Sequence, residues 1–268
     1  MRNEALTGYL LHQRPYQEKR ALYYLFSEQH GVVHGIGKKG APLFVALQLF
    51  ATGKRDLKTF SQINITQTNT EIDTKQSFLP QNSASKEDVE SNQIRQRDVS
   101  EFSYKQITGQ QQYAALYLNE ILWRLLPSED PMPVLWHHYQ NSLQQLKHSL
   151  TADELRLCLR HFEQHLFAEL GFTLSLGQDN LLAAIDPEMM YRFLPDTGLV
   201  PIVHNDSSTN ATAQSIFSGK DILQMIEQGI TFETLNDWSR LHRQLIDHLL
   251  DYQPLQSRLL WQQQQRYQ

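Results

Sequence analysis

Cysteine is almost missing: Cys158 is the only one in 268 residues. A single thiol excludes an intramolecular disulfide and any cysteine-based zinc cluster, and it fits a reducing, cytosolic setting. Long apolar runs are missing too. Met1-Arg2-Asn3-Glu4 opens without the hydrophobic stretch of a signal peptide, and no segment approaches the roughly 18 apolar residues of a membrane span. A soluble, untargeted protein is expected. There is no Walker A sequence, which speaks against an autonomous ATPase. There is no G-x-S-x-G elbow either; His204-Asn205-Asp206-Ser207-Ser208 holds the residue types of a serine hydrolase but has the composition of a surface loop. None of these features calls for a cofactor.

Positive charge is short overall, at a net charge of -5, but it is unevenly spread. Residues 1–60 carry nine Lys/Arg against four Asp/Glu, residues 61–100 four against six, and the remainder eleven against nineteen. A basic module on an acidic body can hold a phosphate backbone, because the local field decides attraction.

From Ala5 to Phe60 the apolar runs are short and β-rich: Tyr9 to Leu11, Ala21 to Phe26, Val32 to His34, Leu43 to Phe50, and Leu57 to Phe60. Arg14-Pro15, His30-Gly31, Gly40-Ala41-Pro42 and Gly53-Lys54 punctuate them. This pattern predicts a small closed barrel over residues 1–65, with Gln62 to Ile65 ending the last strand. Residues 66–98 are dominated by Thr, Asn, Gln, Ser and Asp and read as a flexible insert or linker. Residues 99–268 read as a helical domain with an irregular segment at 173–213.

Within that domain, Tyr113, Leu116, Tyr117 and Ile121 share one helical face, and Val134 to Leu150 forms a second candidate helix. A third opens at Thr151-Ala152-Asp153-Glu154, either as a capping box or with Asp153 as the cap, and stops at Gly171. Tyr191 to Leu194 and Gly198 to Val203 suggest a short hairpin. Helices at Lys220 to Glu227, opened by Ser218, and at Asp237 to Leu250 follow, with a polar tail after Trp261.

Several constellations invite chemistry. Gly35-Ile36-Gly37-Lys38-Lys39-Gly40 matches G-x-G-x-x-G, but Pro42 and the β-like run behind it leave no helix to receive a dinucleotide. It suits a lysine-bearing β-turn instead. His161, His165 and Glu169 lie at helical spacing for a metal, without the H-E-x-x-H pattern. Cys158 lies beside Leu159 as a small core residue. Lys38, Lys39, Lys54, Arg55 and Lys58 flank turns of one β-module alongside Tyr23, Tyr24, Phe44, Phe50 and Phe60, the mixture of cations and rings found in barrels that bind nucleic acid.

Arg14-Pro15-Tyr16-Gln17-Glu18, Leu25-Phe26-Ser27 through Gly31, and Gly37-Lys38-Lys39-Gly40-Ala41 resemble, in order and spacing, the opening of the bacterial RecO family. Leu47-Gln48-Leu49-Phe50 and Leu57-Lys58-Thr59 are similar to its later strands. Tyr117-Leu118-Asn119-Glu120-Ile121-Leu122, Arg160-His161-Phe162-Glu163 through Gly171-Phe172, Phe217-Ser218-Gly219 and Leu255-Gln256-Ser257-Arg258-Leu259-Leu260 resemble its helical domain. The resemblance implies an α+β protein, an OB-fold barrel followed by an α-helical domain, acting without catalysis as a cytoplasmic, nucleoid-associated mediator of DNA repair and recombination. It implies binding and annealing of single- and double-stranded DNA, binding of the acidic tail of the single-stranded-DNA-binding protein, and loading of RecA together with RecR. Arg14, Lys19 and Arg20 extend the expected DNA surface. Arg160 matches the family arginine for the acidic tail, and Arg124 is a second candidate on a neighbouring helix. The chain departs from the family in three ways: no cysteines stand at 173–213, as in the metal-free branch; Pro42 to Ala46 replaces a longer basic loop; and the polar insert is longer. Two other readings are an adaptor between proteins with weak DNA binding, and a metalloenzyme using His161 and His165.

Overall fold

The computed structural model describes residues 2–66, 106–172, 174–202 and 216–266. The polar insert from position 67 onward and the His204 to Ser208 segment lie outside these.

Five strands, β1 (Glu4–Gln17), β2 (Arg20–Ser27), β3 (Gly31–Lys38), β4 (Ala46–Thr52) and β5 (Leu57–Ile65), close into a barrel in the order β1-β2-β3-β5-β4. Only β3 and β5 run parallel. This is the strand order of an OB-like barrel. The side-chain alternation decides what faces in. Ala21, Tyr23 and Leu25 of β2 join Leu6, Val33, Leu47 and Phe60 in the barrel interior, while Tyr9, Leu11, Phe26 and Val32 point outward into a second core. The two glycines of the G-x-G pattern make room inside: a Cβ on Gly35 would stand 2.4 Å from the Phe60 ring, and one on Gly37 2.9 Å from Ile63. β4 begins at Ala46 rather than Leu43, because Phe44 adopts a left-handed φ of 64° that extended chain cannot accommodate.

The helical body follows as α1 (Gln110–Leu125), α2 (Pro133–Leu146) and α3 (Ala152–Glu169); a three-stranded sheet of β6 (Met190–Leu194), β7 (Gly198–Pro201) and β8 (Ile216–Ser218); then α4 (Gly219–Gln228), α5 (Leu235–Leu249) and α6 (Gln256–Arg266). Thr151 and Glu154 form the capping box of α3, and Ser218 caps α4 through the Asp221 amide. The polar tail expected after Trp261 is instead the second half of α6. Its start is fixed by Glu120, whose carboxylate accepts from the Gln256 and Ser257 amides at 2.8 Å each, where an anion suits the helix dipole. Trp261 then packs on Tyr113 of α1.

Barrel and helices share one core. Tyr9 meets Tyr139 edge to face at 5.3 Å, and Phe26 meets Trp136 at 5.4 Å. Each fully buried ring adds about 1.5–3 kcal/mol. A bulge in β1 between Leu10 and His12 leaves two carbonyls turned toward α1. Asn119 satisfies both, donating to Leu10 O (3.2 Å) and Leu11 O (3.1 Å), while its own oxygen accepts from the Tyr139 hydroxyl at 2.5 Å. Asn119→Leu preserves volume but strands these buried groups. It is expected to lower unfolding free energy by about 3 kcal/mol, measured as a lower urea midpoint with unchanged slope.

Candidate nucleic-acid interface and an arginine-lined cleft

The barrel cations fall into three groups. Arg20 on β2 pairs in register with Lys38 on β3, and the Lys39 ammonium donates to the Glu18 carbonyl at 2.9 Å, so the β1–β2 turn and the end of β3 bring Lys19, Arg20, Lys38 and Lys39 together. Lys54 and Arg55 stand exposed in the β4–β5 turn, just ahead of Leu57, which lies beside His34. Since Lys38 is four residues beyond His34, roughly 13 Å along the strand, the two basic groups are separated along β3. Arg14 lies on β1 with its guanidinium over the rings of Tyr24 and Trp123.

Lys58 does not belong to this surface. It is only 4% exposed, ion-paired with Glu129 at 2.5 Å and donating to Arg55 O at 2.6 Å. Its charge serves to join the barrel to the α1–α2 connection. Tyr23 and Phe60, grouped with the cations on sequence grounds, fill the barrel interior.

In the helical body, a cleft of 680 Å³ runs between α1, α3, α5 and α6. Tyr113, Tyr117, Leu155, Leu159 and Trp261 give it apolar walls; Arg156, Arg160, Arg240, Arg243 and Arg258 line it with charge. Beneath it lies Glu163, with no exposed surface, which accepts from the Tyr117 hydroxyl (2.5 Å), from Arg160 Nη2 (2.5 Å) and from His242 Nδ1 (3.0 Å). Burial pushes the Glu163 carboxyl up, but Arg160, His242 and Tyr117 together outweigh it and hold the carboxyl below its ordinary range. His242 is displaced downward, by burial first and against the pull of Glu163, so its neutral ring donates Nδ1–H. Arg160 therefore stands at the cleft wall with Nη2 anchored on Glu163 and Nη1 donating to the Ser239 carbonyl at 3.4 Å, and its side chain is 12% exposed. Arg124 is engaged elsewhere, donating to Pro254 O and Gln253 at 3.2 Å each and facing Glu120 at 3.7 Å, so that it braces the turn before α6.

A family model described as "Recombination protein O C terminal" matches residues 108–253. The chain is 30% identical to DNA repair protein RecO of Stutzerimonas stutzeri over 95% of its own length and 92% of that protein. It is 31% identical to the Coxiella burnetii DNA repair protein RecO, over 94% of this chain and 95% of the relative. With DNA repair protein RecO of Pseudomonas paraeruginosa the identity is 30%, over 96% and 94%. The chain belongs to the RecO family.

RecO-family proteins are non-catalytic mediators of DNA repair and recombination. Among the described residues of this RecO chain, no group of three His, Cys, Asp or Glu is placed to hold a metal ion. His165 stacks face to face on His138 of α2 with centroids 3.3 Å apart, so its ring is engaged across the α2–α3 seam. Burial pushes the Cys158 thiol up to about 11, as suits a packed residue and not a nucleophile. No helix among the described residues is long and apolar enough to cross a membrane. Of the further cleft residues Arg156, Arg258 and Trp261, only Arg258 carries a signal in the sequence, in the closing Ser257-Arg258 motif.

Because the folded values of Glu163 and His242 both lie below their unfolded ones, each contributes stability that is complete above its unfolded value and is lost as pH falls. His242 acts first, in the histidine range, and Glu163 later. The melting temperature is expected to fall between about pH 7 and pH 5, with a shallower slope in His242→Gln. His12, His34, His161 and His165, displaced downward chiefly by burial, sustain the residual slope.

Proposed function

We propose that this RecO-family protein binds the phosphate backbone through its barrel and the acidic tail of the single-stranded-DNA-binding protein through its helical cleft, annealing DNA and assisting RecA loading with RecR. What supports this most is that the two cationic surfaces differ in kind. At the barrel, Lys19, Arg20, Lys38, Lys54 and Arg55 make no ion pair among the described residues, as suits sequence-independent phosphate contact. In the cleft, arginines braced by buried or neighbouring carboxylates surround an apolar groove, as suits a short peptide that carries both acid groups and a ring. The adaptor reading with weak DNA binding draws support from the withdrawal of Lys58 into its ion pair and from the short Pro42 to Ala46 loop.

Anisotropy titrations of labelled oligonucleotides against salt separate these readings. The Lys38→Glu/Lys39→Glu variant is expected to bind unrelated sequences uniformly more weakly, with the salt slope reduced by about 1.4 for single strands. Equal binding by wild type and variant at low salt would remove the barrel assignment. In calorimetry with the tail peptide, Arg160→Ala is expected to cost about 1–3 kcal/mol while leaving DNA binding unchanged. An unchanged dissociation constant would reject Arg160 as the anchor.

A further inference from the structure

The strand register lays a graded surface across the outside of the barrel. His12, Tyr24, His34 and Leu57 stand side by side on β1, β2, β3 and β5. The next row along is Arg14, Leu22, Ile36 and Thr59, and the row after that brings Arg20 beside Lys38. At its other end the face disappears under the helical body, where Phe26 and Val32 are completely covered. The cover stops at Tyr24. Leu22, Tyr24, His34 and Ile36 are partly buried, and Leu57, the first residue of β5, is 46% exposed. These ring and aliphatic side chains lie next to Arg14, Arg20 and Lys38.

The closing wall is Trp123, contributed by α1. It stacks on His12 at 4.8 Å and 14°, and Tyr24 leans against both Trp123 (5.4 Å) and His34 (4.6 Å). Arg14 lies over Tyr24 and Trp123 at 5.8 and 5.7 Å and makes no ion pair among the described residues. A guanidinium resting on rings is readily exchanged for another flat group, and its charge is then free to meet a phosphate. Of the two acids whose charges act on His34, Glu129 is paired with Lys58, and Asp56 follows Lys54 and Arg55 directly in the β4–β5 turn.

We infer that this face, with Trp123 as its end wall, is a stacking site for the unpaired bases of single-stranded DNA, with Arg14, Arg20 and Lys38 holding the backbone alongside. Base faces are open in a single strand and hidden in a duplex, so such a site selects single strands without reading sequence. It is composite: the barrel supplies the rows and α1 the wall. The inference rests on the barrel's reading as a DNA surface and adds to it which strand form is held and by which rings.

The test compares oligo(dT) with an abasic oligonucleotide of equal length and charge, using the full chain. Wild type is expected to bind oligo(dT) about ten-fold more tightly, and Trp123→Leu and Leu57→Gln are each expected to shrink that preference while keeping the salt slope. Tryptophan emission should be quenched by oligo(dT), with the quench lost in Trp123→Phe, which keeps a ring for folding, and retained in Trp261→Phe. Equal, salt-dependent affinity for both oligonucleotides would overturn the stacking site and leave phosphate binding intact, showing the ring cluster to be only a joint between barrel and helix. A quench unaltered in Trp123→Phe would overturn it as well. Binding of neither oligonucleotide would sink both the stacking site and the DNA reading beneath it.

Discussion

One turn of α1 holds the molecule together. Tyr117, Asn119 and Glu120 are buried polar residues on a helix otherwise packed with Leu118, Ile121 and Leu122. Each reaches a different element: Tyr117 donates to Glu163 on α3, Asn119 closes the β1 bulge and accepts from α2, and Glu120 caps α6. A buried polar group left unpaired costs free energy, whereas hydrophobic contact tolerates sliding. These bonds therefore fix where the barrel sits, and with it the orientation of both cationic surfaces.

The same turn links the two surfaces electrostatically. Glu163 is a buried anion that can exist only because Tyr117, Arg160 and His242 surround it. Removing any one would leave the others mismatched in a medium that screens poorly. Arg160 is thus part of the protein's internal structure as well as of the cleft wall, and a variant at this position needs its folding measured beside its binding.

The barrel and most helices were legible in the sequence because each carried its own local signal. The period-two runs from Ala5 to Phe60, Thr151 with Glu154, Ser218, and the turn at Pro195-Asp196-Thr197 all act within a few residues of where they are read. What could not be read depends on partners far along the chain. Nothing near Gln262 to Gln265 announces a helix, because its start is held by Glu120. Trp123 looks like core on a buried helix, and only the closure of the barrel against α1 sets it beside His12 and Tyr24. Likewise Lys58 reads as a turn cation until the α1–α2 connection brings Glu129 to it.

The fate of each candidate cation was decided by where the carboxylates lie, which lysine and arginine spacing does not contain. The barrel has few acids to set against its cations: Glu4 meets His30, Asp56 stands in the turn with Lys54 and Arg55, and Glu18 contributes its backbone carbonyl to Lys39. The barrel therefore keeps an uncompensated field at its surface, the condition for long-range attraction of a polyanion that salt will screen. In the helical body the acids are interleaved: Asp153 holds Arg156, Glu163 holds Arg160, Asp237 holds Arg240, and Asp247 serves both Arg243 and Arg258. Such pairs project little net field, but they orient guanidinium groups around an apolar groove, and fixed donors give geometric selectivity at short range. A net charge of -5 is thus compatible with two anion-facing surfaces, one working through field and the other through shape.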